Sequence, residues 1–521
     1  MSVVNRVAPL PVASWEDRER FVAGLSATAG YSPSSMLLKL ISSFGEKDIK
    51  YCYWKSATRV ERAMAGESDL DLLVDRGSRD RATALLCEHG FKPWPDAVGR
   101  GHPVIASFLG YEESCQAIRH VHVHFRLVLG HSLLKNFRLP IESRLIARSV
   151  LHPRFPLRLL DPADEALLLV VRYSLELSRI DPIALRQRSE LERKYAEALA
   201  FVMTNVDPNE LSRRARELFS AKTTNQIRET ACSFGATLPR GAVRAAIARE
   251  LAPYRTYNGL ESSARIFARS TLFAASAVNR RLFRAPRAPR RRCPGGGVLI
   301  SFVGVDGSGK STQLAEVRKW LGAEIDVLTY YFGSGDGEPS LLFRPFKTIS
   351  RSIAARIRVK PKGASHGKIS DRPPGAIYSL MFVVWALAVA LDKWIKLVSA
   401  QRAIARGFVV VTDRFPQNEN VQFNDGPLLH RLTLAPAWLL RLESSVYEIA
   451  QRSPPDLVIK LQVGYATVAN REPDMQPELI SQKIEWLKDI KFADARVVSI
   501  DAKQSLAEVK RQVKRAIWDI F

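Results

Sequence analysis

At 521 residues the chain is too long for one hydrophobic core, and its length suggests about three domains. Apolar residues at 46% beside 25% charged residues exclude wholesale disorder. Lys and Arg number 77 against 53 Asp and Glu, a formal net charge of +24, which favours nucleotides, nucleic acid, phosphorylated glycans or an anionic membrane face as partners. Five cysteines (Cys52, Cys87, Cys115, Cys232, Cys293) contain no CxxC pair, so neither a zinc knuckle nor a disulfide framework is expected, and a cytoplasmic location fits. The opening stretch MSVVNRVAPLPVASWEDRERF lacks a continuous apolar run and does not read as a signal peptide.

From residue 32 to 93 the pattern is that of a small α/β unit. A helix with Met36, Leu37, Leu40 and Ile41 on one face leads into a strand, IKYCYWKS. A polar loop follows, then a second strand, SDLDLLVD, over residues 68–75. Asp69 and Asp71 lie two apart on that strand and project from one face. Carboxylates held together oppose each other's ionisation unless a cation lies between them, so a metal site is the functional reading; the alternative is a solvated strand edge. A later strand, RHVHVHFRLVLG, alternates His120, His122 and His124 on one face. These would either close a metal site with Asp69 and Asp71, favouring a softer ion than Mg²⁺, or hydrogen-bond locally.

Lys55-Ser56 at a strand end, ahead of the Asp-x-Asp strand, resembles the nucleotidyltransferase fold of the polymerase-β type, particularly its uncharacterised bacterial families, over about residues 33–150. The resemblance implies an α+β nucleotidyltransferase-like domain whose metal-binding acids are Asp69 and Asp71. Two departures stand out: Lys55-Ser56 replaces the usual glycine pair, and the three histidines replace a third acid.

Residues 161–273 read as helical. Asp161-Pro162 and Asp207-Pro208 are helix starts, and this Arg- and Ala-rich region carries no cluster with catalytic spacing, so a connector is expected. The segment NRRLFRAPRAPRRRCPGGG then interleaves Arg280, Arg281, Arg284, Arg287, Arg290, Arg291 and Arg292 with prolines and ends on glycines. It reads as an exposed linker, either merely solvated or docking on an anionic membrane or nucleic acid. The expected domains are 1–155, 156–278, the linker 279–297, and 298–521.

Residues 298–321, VLISFVGVDGSGKSTQLAEVRKWL, run from apolar strand through glycine-rich loop to amphipathic helix. That order makes a P-loop, and hence a nucleoside-triphosphate site. Backbone N–H groups of the loop and the helix N-terminus would cradle phosphate, Lys310 would reach the β- and γ-phosphates, and Ser311 would sit on Mg²⁺. Further apolar strands follow in DVLTYYFG, GFVVVTDRF, PDLVIKLQV and ARVVSIDA, which predict a parallel sheet covered on both sides. The run LMFVVWALAVAL over residues 380–391 is too short to span a membrane and is expected to be a buried core helix.

GVDGSGKST, the strand ending in Asp413-Arg414-Phe415, and PDLVIKLQV followed by Arg471 resemble the thymidylate kinase family of P-loop nucleotide kinases, over about residues 297–521. The resemblance implies that Gly304, Gly307, Ser308, Gly309, Lys310, Ser311 and Thr312 hold ATP and Mg²⁺. Asp306 and Asp413 would order metal-bound water or contact the acceptor, Arg414 would grip the acceptor's anionic group, and Arg471 would stabilise the transferring phosphoryl. The family's Arg-Glu-Pro element is replaced by YYFGSGDGEPS, and the later Arg471-Glu472-Pro473 comes too late in the chain to be it. Arg344, Lys347, Arg351, Arg356, Arg358, Lys360, Lys362 and Lys368 suit a larger or more charged acceptor, or form a solvated surface. The expectation is an α/β protein: a P-loop kinase domain preceded by an α+β nucleotidyltransferase-like domain and a helical connector. It would transfer the ATP γ-phosphoryl group to a nucleoside monophosphate, a phosphate or a sugar acceptor. The rivals are nucleotidyl transfer through Asp69 and Asp71, and a non-catalytic ATP-binding switch.

Overall fold

The structure is a computed structural model that describes residues 31–96, 101–176, 188–233, 240–282, 290–333, 376–420, 423, 426–432 and 435–521. It is α/β, with one mixed sheet, one parallel sheet and many helices. The chain divides into two compact units, the first comprising residues up to Glu112 and Ile118–Ala275, the second Glu113–Ala117 and Ser276–Phe521.

The first unit is built on β1 (Tyr51–Tyr53), β2 (Leu70–Val74), β3 (Phe91–Trp94), β4 (Ile105–Glu112), β5 (Ala117–His124), β8 (Val150–Leu151) and β9 (Arg158–Leu159), beside a small ribbon of β6 (Val128–Leu129) and β7 (Phe137–Arg138). The sheet order is β3-β4-β5-β2-β1-β9-β8. Its centre is β2, antiparallel to β1 and parallel to β5. Every residue of β1 and β2 is buried, as strands covered on both faces must be. The helix Ser35–Glu46 starts where the Ser34 side chain accepts from the Leu37 N–H, and it buries Leu37, Leu40, Ile41 and Phe44. Asp161 and Asp207 likewise accept from Ala163 N (3.0 Å) and Asn209 N (2.9 Å) and open the helices Pro162–Glu176 and Pro208–Arg216. One core runs from Leu37 to Leu251, so these helices share the sheet's interior.

The second unit holds β10 (Val298–Gly304), β11 (Val327–Tyr331), β12 (Val409–Asp413), β13 (Leu457–Gln462) and β14 (Arg496–Asp501). Their order is β11-β12-β10-β13-β14, and every neighbouring pair is parallel. β10 is therefore central, with its carboxyl end among those of β12 and β13, where open α/β sheets bind ligands. Of the basic segment, Arg284 and Arg287 lie outside the described residues. Its last part is hydrogen-bonded into this unit: Cys293 N donates to Gly407 O at 2.7 Å and Gly297 N to Ile404 O at 2.8 Å.

The stretch 380–391 belongs to a longer helix, Ala376–Ile404. It is not buried all round: Leu380 is 67% exposed, and Val384 and Leu391 are 46% and 47% exposed, while Ala386, Ala390, Leu397, Ala400 and Ala403 are buried. Only one stripe of the helix faces the interior, the geometry of a helix laid on one side of a sheet. No described helix is long and apolar enough to cross a membrane.

Candidate functional sites

β10 ends at Gly304 and the helix Lys310–Leu321 begins six residues later. Two glycines make that turn possible: Gly307 at φ +75° and Gly309, the N-cap, at φ +92°, values that a side chain resists. At Gly304 the constraint is space, because a Cβ there would lie 2.5 Å from Ser308 Oγ. The loop closes around Lys310, which is buried and donates through Nζ to the carbonyls of Gly304 (2.9 Å) and Val305 (2.8 Å). Burial pushes its ammonium down to about 8, against the pull of Asp306. Ser308 Oγ is buried in the same turn without a hydrogen-bond partner. Ser311 and Thr312 lie exposed in the first turn of the helix.

Around this loop the fold gathers charge. Asp306 pairs with the Arg414 guanidinium through one carboxylate oxygen, and its other oxygen lies 3.1 Å from Lys483 Nζ. Burial alone would raise the Asp306 carboxyl, but Arg414, Lys483 and Lys310 hold it well below the usual carboxylate range. Asp413 is buried at the end of β12, in register with Phe302 of β10. Arg414 follows it at φ +61°, a left-handed conformation unusual for a branchless but bulky side chain, and its N–H donates to Phe302 O at 3.2 Å. Arg471 ends the helix Tyr465–Arg471 and donates to Gly307 O at 2.7 Å. The structure thus brings Gly304, Asp306, Gly307, Ser308, Gly309, Lys310, Arg414 and Arg471 to one place. It adds Lys483, from the helix Pro477–Asp489, which sequence reasoning missed. Four cationic groups against two carboxylates make a site for an anion. The segment SGDGEPS and the basic residues from Arg344 to Lys368 lie outside the described residues.

The first unit carries a second cluster. β2 and β5 pair in parallel with Asp71 opposite His122. Asp71 Oδ1 lies 3.5 Å from His122 Nδ1, 3.4 Å from His124 Nε2 and 3.9 Å from Lys55 Nζ. Asp69, just before β2, meets a different imidazole: its Oδ1 is 2.6 Å from His120 Nδ1. Burial would raise the Asp71 carboxyl, but Lys55, His122 and His124 keep it well below the ordinary range. Burial drives the His122 imidazole down and His124 well down, against the pull of Asp71. Lys55 is pushed down to about 8 by burial. It stacks on Trp54, at 4.2 Å from the ring centre, and Trp54 in turn meets His124 edge-on at 4.8 Å. Glu165, buried in the helix Pro162–Glu176, holds the loop: its Oε1 accepts from Ser56 Oγ (3.1 Å) and Ala57 N (2.9 Å).

No family model matches the sequence. Over 230 residues, 42% of the chain, it is 30% identical to the "Uncharacterized ATP-binding protein YghS" of Escherichia coli strain K12, covering 92% of that protein. It is also 27% identical over 223 residues, again 42% of the chain, to the "Uncharacterized ATP-binding protein YghR" of the same strain, covering 86% of it.

Proposed function

The chain belongs to the family of the E. coli ATP-binding protein YghS, and from that membership we propose that it binds ATP at the loop 304–312 and transfers the γ-phosphoryl group to a nucleoside monophosphate or another anionic acceptor. The observation that carries this reading is Lys310, buried within a glycine turn at the end of the central strand of a parallel sheet. The tight turn at Gly304, the positive φ of Gly307 and Gly309, and the unpartnered Ser308 hydroxyl all suit a loop whose backbone wraps a phosphate. Ser311 and Asp413 are the groups that would hold Mg²⁺, which would supply neutralisation of the phosphate charge.

The chain's own contribution is positioning and charge. Lys310 binds the donor phosphates, Arg471 stands over the loop at Gly307, and Arg414 and Lys483 converge through Asp306. Asp306 keeps two long cations aligned, and Arg414 presents its guanidinium to the acceptor. This is the division of labour of a phosphotransferase of the thymidylate kinase type.

The test is Mg²⁺-ATP turnover by the full chain, challenged with each nucleoside monophosphate and then with phosphorylated sugars. One acceptor class stimulates turnover, and Lys310→Ala lowers that rate on the order of a hundredfold or more with the fold intact. Retained turnover in Lys310→Ala would remove the assignment. ATP binding with no acceptor-stimulated turnover would leave an ATP-binding switch.

A further inference from the structure

The histidine and aspartate cluster of the first unit plays no part in ATP binding at the loop 304–312. Asp71, His122 and His124 each offer one ligand atom, and the three atoms lie within 4.8 Å of one another. We propose that these three side chains bind a divalent transition-metal ion of the zinc class, in a two-histidine, one-carboxylate site.

The distances carry the inference. An N–H···O hydrogen bond centres on about 2.9 Å, whereas donors placed tetrahedrally about 2.0–2.1 Å from one ion stand roughly 3.3 Å apart. The separations of 3.5 Å and 3.4 Å from Asp71 Oδ1 to the two imidazole nitrogens are near the second spacing, and with all three donor atoms within 4.8 Å of one another, small ring rotations would close them on one ion. By contrast, the neighbouring pair His120–Asp69, at 2.6 Å, has hydrogen-bond length. Among the described residues, His124 Nε2, the imidazole nitrogen that faces Asp71, is buried without a hydrogen-bond partner. Buried polar groups are almost always satisfied, and an ion held by Asp71 would satisfy this one.

The strands pre-organise the donors. Two imidazoles two residues apart on β5 share a face, and the parallel register sets Asp71 of β2 directly opposite the first. Two imidazoles make the site too soft to prefer Mg²⁺ and suit Zn²⁺, Co²⁺ or Fe²⁺ instead. Three protein ligands leave at least one position open for water or another oxygen donor. Lys55, 3.9 Å from the same Asp71 oxygen, is the cation that the ion would displace.

The experiment uses the untagged full chain, stripped with chelator and titrated with Co²⁺. One Co²⁺ binds per chain, with the visible ligand-field bands of a low-coordinate cobalt site, and an equal amount of Zn²⁺ abolishes the bands. The near-isosteric Asp71→Asn, and separately His122→Ala, weaken Co²⁺ binding by more than about tenfold, while Lys310→Ala leaves the cobalt spectrum unchanged. Absence of the bands in the wild-type chain overturns the proposal whatever the variants do. Bands that persist in both Asp71→Asn and His122→Ala, or vanish in Lys310→Ala, place the ion elsewhere and overturn it as well.

Discussion

Lys310 has exchanged water for two backbone carbonyls, and this sets a pH limit on the donor site. With its ammonium pushed down to about 8, the free protein carries the charge below that pH and loses it above. Phosphate favours the charged form, so above about pH 8 ATP binding must take up a proton, and the ATP Kd rises by at most about tenfold per pH unit. Calorimetry in buffers of different ionisation enthalpy reads that uptake directly, and Lys310→Met is expected to flatten the profile. In the proposed phosphotransfer, Arg414 is the residue placed to meet the acceptor. Arg414→Ala should raise the acceptor KM by about tenfold or more while the ATP Kd moves much less, a split visible in initial-rate kinetics. At this scale the glycine loop was legible in the sequence, because each requirement is local: a turn, a cation, a helix start. Lys483 was not, since its contact with Asp306 spans 177 positions and depends on how one helix lies over the loop.

Among the elements, the tie from the helix Pro162–Glu176 to the Lys55-Ser56 loop bears most on the metal cluster. Glu165 is buried and accepts from both Ser56 Oγ and Ala57 N, so Glu165→Ala leaves a buried N–H unsatisfied. The expected cost is about 1–3 kcal/mol in urea unfolding, and a change of the midpoint within error would show that the loop is held by other means. The strands of the parallel sheet were readable because they are near-continuous apolar runs, as in VVVTD and LVIKLQ. The mixed sheet was only half readable: β8 and β9 are two residues each, too short for any periodicity, and their pairing is set by chain topology. The helix Ala376–Ile404 illustrates the opposite error. Its apolar run suggested burial, yet Leu380, Val384 and Leu391 of that run are exposed, because composition reports how apolar a helix is and not which sides have neighbours.

For the whole molecule, the surplus of 24 positive charges predicts retention on polyanionic matrices that weakens steeply with added salt, as counterion release requires. Retention that is insensitive to salt would point instead to a specific site. The two proposed sites differ in chemistry, one gathering cations around the loop 304–312 and one formed by Asp71, His122 and His124. Asp71→Asn is therefore expected to leave ATP binding at the loop unchanged. ATP binding at the loop is tested most directly by calorimetric titration of the full chain and of Lys310→Ala with Mg²⁺-ATP. One ATP is expected per chain, with an affinity reduced on the order of a hundredfold in Lys310→Ala and its circular dichroism unchanged. Equal affinity in the two proteins, or no binding by the wild type, would contradict it.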